Sequence, residues 1–423
     1  MNLIKLSQRH LLAKPLGTFL SILLLTLGAG IISFLILLHL SLEDRLNRNI
    51  SGIDMVVGAK GSPLQLILWS IYHLDSPTGN IPLHEAEKFV SNPSVEKAIP
   101  LAYGDNFQGY PIVGTTIQYV EHYNGEVAAG HLWQQPFDAC VGAAVAERLQ
   151  LQIGDTFSGT HGLAAEGGHV HNERAYRIVG ILAPANSVLD QLVLTAMESI
   201  WLLHEHDSHS VEEPIEVASA TDHANEDERH HPAEEVHAPG ARQEITAMLV
   251  KFRNPMAALQ LPKKINTESN IQAALPAIEV NRLFTLLGFS VEVLQAIGLL
   301  IMAVAGISVF VSLYNSLKDR QYELAIMRTL GASRFDLFAM VMLEALHLSI
   351  AGFVAGLLLS RLGIFILYNI LADMVHGNLY RLGLQADEIY LLLICLLIGF
   401  MAALLPACQA LSTNISKTLS HAS

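Results

Sequence analysis

Val293-Leu-Gln-Ala-Ile-Gly-Leu-Leu-Ile-Met-Ala-Val-Ala-Gly-Ile-Ser-Val-Phe-Val-Ser-Leu-Tyr-Asn-Ser-Leu317 runs for 25 residues without a charged side chain. As a helix it would rise about 37 Å, more than the roughly 30 Å of hydrocarbon in a bilayer. The stretch therefore reads as a membrane span. Three others share its character. Pro15–Leu42 and Ile389–Ser416 contain no Asp, Glu, Lys or Arg, and Ala345–Ala372 contains only Arg361. Four spans are predicted, over residues 16–42, 291–317, 337–372 and 389–416. The first has a basic start (Lys5, Arg9, Lys14), but its apolar run is too long for a signal peptide, and Leu42-Glu43-Asp44 offers no small-residue cleavage site. It reads as an uncleaved anchor.

Composition agrees. Hydrophobic residues make up 51% of the 423-residue chain and charged residues 15%, against about 25% charge in soluble domains. The net charge is nevertheless −14. Residues 43–282 hold 31 acidic and 15 basic side chains, a balance of −16, and the remainder carries +2. The acid is thus segregated from the spans. Nucleic acid is excluded as a partner, because phosphate binding needs a basic surface. Three cysteines in a chain of this length exclude a disulfide scaffold.

Basic residues beside the spans set orientation. They sit in the N-terminal segment 1–15, in the loop 318–336 (Lys318, Arg320, Arg328, Arg334) and at Lys417. The loop 373–388 instead holds Asp373, Asp387 and Glu388 against Arg381. Both termini and the 318–336 loop are expected in the cytoplasm, and residues 43–290 outside it.

That long segment reads as a mixed α+β domain. A helix is expected over 83–91, between Pro82 and Pro93, and strands over 108–120. In 140–157 a short strand leads into a helix at Ala143–Leu149, and Gly154-Asp155 turns into a new strand. Strands are expected at 175–183 and 245–253, a strand and helix at 193–203, and a returning helix over 268–290. Gly52–Gln65, dense in glycine around Lys60, reads as a connector rather than a phosphate cradle. Cys140 reads as a small core residue.

The segment 204–240 breaks the pattern. His204 to His237 contains seven histidines (His204, His206, His209, His223, His230, His231, His237), eleven carboxylates and one basic residue, Arg229. Without apolar periodicity it cannot offset its ordering entropy, so a loop without fixed structure is expected. One reading is a solvated acidic insertion. A second is capture of zinc or another divalent metal, which imidazole and carboxylate suit. A third is a response to protonation below about pH 6.5.

The most specific motif lies in the loop 318–336: Arg320-Gln-Tyr-Glu323-Leu324-Ala-Ile326-Met327-Arg328-Thr-Leu-Gly331-Ala-Ser-Arg334. Arg320, Glu323 and Arg328 are expected on one side of a short helix, with Leu324, Ile326, Met327 and Leu330 as apolar contacts. Gly331 is placed to end that helix in the left-handed conformation. Either this is a solvated amphipathic helix at the membrane surface, or it docks a cytoplasmic partner. Glu344 and His347 follow as intramembrane polar residues. A structural bond between helices is preferred over a proton site, with His347 as the candidate partner of Glu344.

This segment through Ala345 resembles the loop of FtsX-type permeases, where Arg-x-x-Glu, an Arg and Leu-Gly-Ala precede a helix carrying a Glu. The 140–157 unit, Val179–Pro184, Asp190 and Trp201 resemble the extracytoplasmic core of MacB-like permeases. Ala402–Ala410 resembles the end of their last helix, with Cys408 and Gln409 where basic residues are common. The resemblance implies a dimeric membrane subunit of an ABC transporter in a bacterial inner membrane, driven by a cytoplasmic ATPase. It implies that the 320–331 residues couple to that ATPase. Gly-x-x-x-x-Gly-Lys-Ser/Thr is absent, so ATP and magnesium would belong to a separate chain, as in the LolC/LolE-type arrangement. The motion would pass to the extracytoplasmic domain for export or extraction, with a periplasmic adaptor or substrate protein as a further partner. The alternative is an FtsX-like regulator that signals across the membrane without transporting. No catalytic set stands out.

Overall fold

The structure is a computed structural model, and it describes residues 6–9, 11, 15–160, 175–207, 243–371 and 383–411. The chain divides into two compact units: Met1–Asp44 with Phe284–Ser423, and Arg45–Leu283.

The chain enters through α1 (Pro15–Ile50), a single helix of 36 residues. The second unit then follows the order β1 (Met55–Ala59), α2 (Pro63–Tyr72), β2 (Ile81–Pro82), α3 (Leu83–Val90), β3 (Val95–Phe107), β4 (Tyr110–Thr115) and α4 (Ile117–His122). It continues with β5 (Val127–Gly130), β6 (Asp138–Val141), α5 (Ala143–Leu149), β7 (Thr156–Phe157), β8 (Tyr176–Leu182), β9 (Val193–Ala196) and α6 (Met197–Asp207). Last come β10 (Glu244–Ile245), β11 (Ala247–Phe252), α7 (Ala257–Glu268) and β12 (Ile271–Ala274). The chain leaves through α8 (Pro276–Asp319) into α9 (Gln321–Thr329), α10 (Arg334–Leu371) and α11 (Ala386–Leu411).

The 45–283 unit is the expected mixed α+β domain. Its main sheet has the order β12-β1-β11-β3-β4-β9-β6-β8-β5, with β7 beside β8. β4 with β9 and β6 with β8 are parallel. Val56, Val57, Cys140, Val141, Leu249 and Val250 are buried although neighbours along a strand point to opposite faces. Both faces of the central sheet are therefore covered. On one side Met55, Val57, Met248 and Val250 pack with Ala86 of α3 and Leu261 and Ile265 of α7. A second cluster joins Ile112, Val141, Ile178 and Val193 to Val145 of α5 and Ile200 of α6.

Local signals explain several elements. Ser62 caps α2, its hydroxyl accepting from the Gln65 amide at 3.4 Å, with Pro63 in the first turn. The Gly61 N–H donates to Gln272 Oε1 at 2.9 Å, which ties this connector to β12. The strand, helix and turn expected over 140–157 are β6, α5 and the Gly154 turn (φ 98°) into β7. Three expectations need correction. Residues 117–122 are α4, not strand; fewer than two helical turns are too short to show the period. Residues 271–274 are β12, paired in register with β1, and the returning helix starts at Pro276. Pairing partners, not local propensity, decide so short a strand. The backbone at His204 and His206 belongs to α6, which runs to Asp207.

Among the described residues, the other unit holds four helices long and apolar enough to cross a membrane: α1, α8, α10 and α11. α1 approaches its neighbours through small residues. A Cβ on Gly356 would stand 3.0 Å from the Gly30 backbone nitrogen, and one on Gly28 would meet Met302. Such close approach suits helix packing in lipid, where burial of oily surface gives helices no reason to associate.

Candidate functional site

α9 is anchored on one face and open on the other. Leu324 is only 1% exposed and packs against Leu337, Met340 and Val341 of α10 and Ala407 and Ala410 of α11. Met327 lies partly buried against the same cluster. Tyr322, Ile326 and Leu330 follow at four-residue spacing on the other face and are 50%, 37% and 83% exposed. Glu323 is exposed beside them, and Phe335, 79% exposed, follows at the start of α10.

The end of α9 is built by Gly331. The Ala332 amide donates to the Met327 carbonyl at 3.0 Å and the Gly331 amide to Arg328 at 3.2 Å. This is the Schellman pattern, and Gly331 at φ 102° supplies the left-handed backbone it needs. α10 opens at once with a reciprocal cap. Asp336 accepts from the Ser333 amide at 2.8 Å and the Asp336 amide donates to Ser333 Oγ at 3.1 Å. The two caps fix how α9 presents its outer face.

The expected coupling set is therefore divided. Glu323 and Ile326 lie on the open face, while Met327 and Arg328 are half-buried. Leu324 faces the helix core. Arg320 does not share a face with Glu323. It precedes α9, and its guanidinium lies 3.6 Å from Glu344 with both side chains largely buried. Tyr322 belongs to the open face and was not among the expected residues; its spacing to Ile326 and Leu330 carries that signal. Glu344 thus has an interhelix ion pair, with Arg320 instead of His347. The His347 ring donates from Nδ1 to the Leu343 carbonyl at 2.6 Å on its own helix.

A second polar cluster lies inside the membrane unit. Arg361 of α10 and Glu388 of α11 form a two-pronged ion pair, with Nη2 at 2.8 Å from Oε2 and Nη1 on Oε1. The Ser33 hydroxyl of α1 donates to Glu388 Oε1 at 2.6 Å and lies 2.8 Å from Ser360 Oγ. Arg361 also donates to Ser33 at 3.1 Å and to the Gly383 carbonyl at 3.1 Å. Glu388 accepts the Gln385 amide at 3.0 Å, capping α11. Three helices meet at one pair whose carboxylate is fully buried. Arg361 stands out in sequence as the single charge in its apolar run, but its partner lies 27 residues away.

In the core domain the end of α1 is held by hydroxyl groups. Tyr72 Oη donates to the Leu46 carbonyl at 3.0 Å and Tyr123 Oη to Asn49 at 3.1 Å. Asn49 lies in the last turn, where a carbonyl lacks an internal donor, and Leu46 lies just ahead of that turn. Beside them the His73 Nε2 and Tyr119 Oη lie 2.9 Å apart, with Trp69 edge-on to His73. Desolvation pushes the His73 imidazole down to about 3, so the ring is neutral. Burial likewise pushes the Cys140 thiol up to about 12, which leaves it unreactive in the fold. Burial alone would raise Asp138. Arg177 at 2.9 Å and the amides of Gln134 and Gln135 outweigh it and hold Asp138 below the usual carboxylate range.

Among the described residues no three His, Cys, Asp or Glu side chains converge to hold a metal. His209, His223, His230, His231 and His237 lie outside the described residues, as do the side chains of His204 and His206.

Four apolar helices with an α+β domain between the first and second define a membrane protein of permease architecture. Comparison with known families gives two matches. Residues 18–227 match the MacB-like periplasmic core domain, and residues 296–415 match the FtsX-like permease C-terminal domain. Together they take in more than three quarters of the chain, which belongs to the MacB/FtsX-like family of ABC transporter permeases. No curated protein matches. Among solved structures, the periplasmic region of MacB from Actinobacillus actinomycetemcomitans is 10% identical, covering 56% of this chain and 97% of that one, with a TM-score of 0.34. The extracellular domain of the noncanonic ABC-type transporter YknZ from Gram-positive bacteria is 8% identical, covering 52% and 98%, with a TM-score of 0.29.

Proposed function

We propose that this chain is the membrane subunit of an ABC transporter whose ATPase is a separate cytoplasmic polypeptide. The observation that carries the reading is α9, held to α10 and α11 by Leu324 while it presents Tyr322, Glu323, Ile326 and Leu330 outward. A nine-residue helix with an apolar outer face, placed between two membrane helices, suits insertion into a groove of another protein. The positive residues beside the spans support a cytoplasmic side for this loop and both termini, in a bacterial inner membrane. On this reading ATP and magnesium bind the partner; residues 1–423 do not contain the Gly-x-x-x-x-Gly-Lys-Ser/Thr pattern. The chain acts as a dimer, and closure of two ATPases moves its extracytoplasmic domain to export or extract a substrate. It performs no chemistry of its own.

Charge reversal at Glu323 with Ile326→Asp should abolish co-purification of the ATPase from detergent-solubilised membranes while leaving the permease folded. Unchanged recovery of a nucleotide-hydrolysing partner with that double variant overturns the reading. The regulator alternative predicts a tightly bound extracytoplasmic hydrolase in the same purification instead of ATP-dependent substrate release.

A further inference from the structure

α10 carries two ion pairs, ten residues in from each of its ends. Glu344 meets Arg320 at the corner between α8 and α9, and Arg361 meets Glu388 at the cap of α11. Residues 344 and 361 are 17 positions apart, about 26 Å along the axis and close to the thickness of the hydrocarbon layer. At about 100° per residue the two side chains leave α10 in directions about 100° apart, so they engage different neighbours. Glu344 grips the base of α9. Arg361 grips α11 and, through Ser33, α1.

We infer that α10 is a strut that couples these two ends, so that a displacement of α9 reaches α1 through the Arg320–Glu344 and Arg361–Glu388 pairs. This rests on the reading of α9 as the helix that receives the motion. Three observations carry it. Both pairs are largely buried in the membrane unit, where separating the partners strands a charge and is costly. They therefore move with the helices they join. α10 runs without interruption from Arg334 to Leu371 and contains no proline, and Gly352 and Gly356, which lie between the two pairs, are packed directly against Leu25, Ala29 and Gly30 of α1, so neither has room to act as a bend. α10 and α11 also pack too closely to slide, because Ser349 Oγ occupies the position a Cβ on Gly399 would take. Arg320, Glu344, Arg361 and Glu388 are on this account positioning residues. They touch no substrate, and they fix which helices travel together.

The test is a double-mutant cycle on the full chain in lipid nanodiscs, read by hydrogen–deuterium exchange and thermal melting. E344Q should raise amide exchange at 318–324 and also, on the order of threefold, at 386–391 near the far pair. E388Q should do the reverse, and the double variant should lose less melting temperature than the two single losses combined. E344D keeps the charge but shortens the reach, and covers the case that E344Q does not fold. Exchange changes confined to the altered end, with additive melting losses, would show two independent staples and overturn the inference. Docking of the ATPase on α9 is measured separately by co-purification, so either idea can fail without the other.

Discussion

His73 illustrates how a single residue records its surroundings. It ends α2 with a left-handed backbone (φ 53°) and stands beside Tyr119 and Trp69. Its imidazole is pushed from the ordinary value near 6.5 down to about 3. The unfolded chain therefore takes up this proton first as pH falls. The stability contributed by neutral His73 is complete above pH ~6.5 and declines from there toward 3, with a limiting slope of about 1.4 kcal/mol per pH unit. Denaturation followed by tryptophan fluorescence should show that slope. His73→Asn tolerates the left-handed position and should remove it. Gly331 is the second case. Nothing lies within 4 Å of the place its Cβ would occupy, so the strain in Gly331→Ala is purely one of backbone at φ 102°. A penalty of about 1 kcal/mol should raise amide exchange in residues 321–330 about fivefold.

Among the elements, α9 shows what a sequence discloses and what it withholds. Its existence and its Gly331 stop follow from local chemistry, because apolar spacing and a C-terminal glycine act within one turn. Its facing does not. The helix begins at Gln321, so Arg320 lies in the preceding corner and turns toward Glu344. Residues inside the helix keep their mutual angles wherever it starts, so the later start takes Arg320 alone out of the expected set. The spans and the 140–157 unit were legible for the same local reasons: unbroken apolar length, and glycine turns between strand and helix. β12 was not, since four residues paired to β1 carry no period of their own. Nor was the Arg361–Glu388 pair, which depends on how α10 and α11 close on each other and on Ser33 of α1. One consequence can be measured directly. Ser33→Ala removes a donor to Glu388 but leaves Arg361 in place. It should cost about 1 kcal/mol, and Glu388→Gln, which leaves Arg361 without a counter-charge, about 3 kcal/mol or more. Melting curves of the two variants in nanodiscs would rank them.

At the scale of the molecule, an acidic α+β domain is inserted between the first and second of four apolar helices, and the chain passes between the two units twice. The changeovers fall at residues 44–45 and 283–284, inside α1 and inside α8. Residues 45–50 of α1 fall in the same unit as the sheet, and Tyr72 and Tyr123 bond carbonyls there. The core domain therefore includes the end of that helix. A domain boundary drawn at Met55 would leave both hydroxyls without their acceptors, at about 1 kcal/mol each.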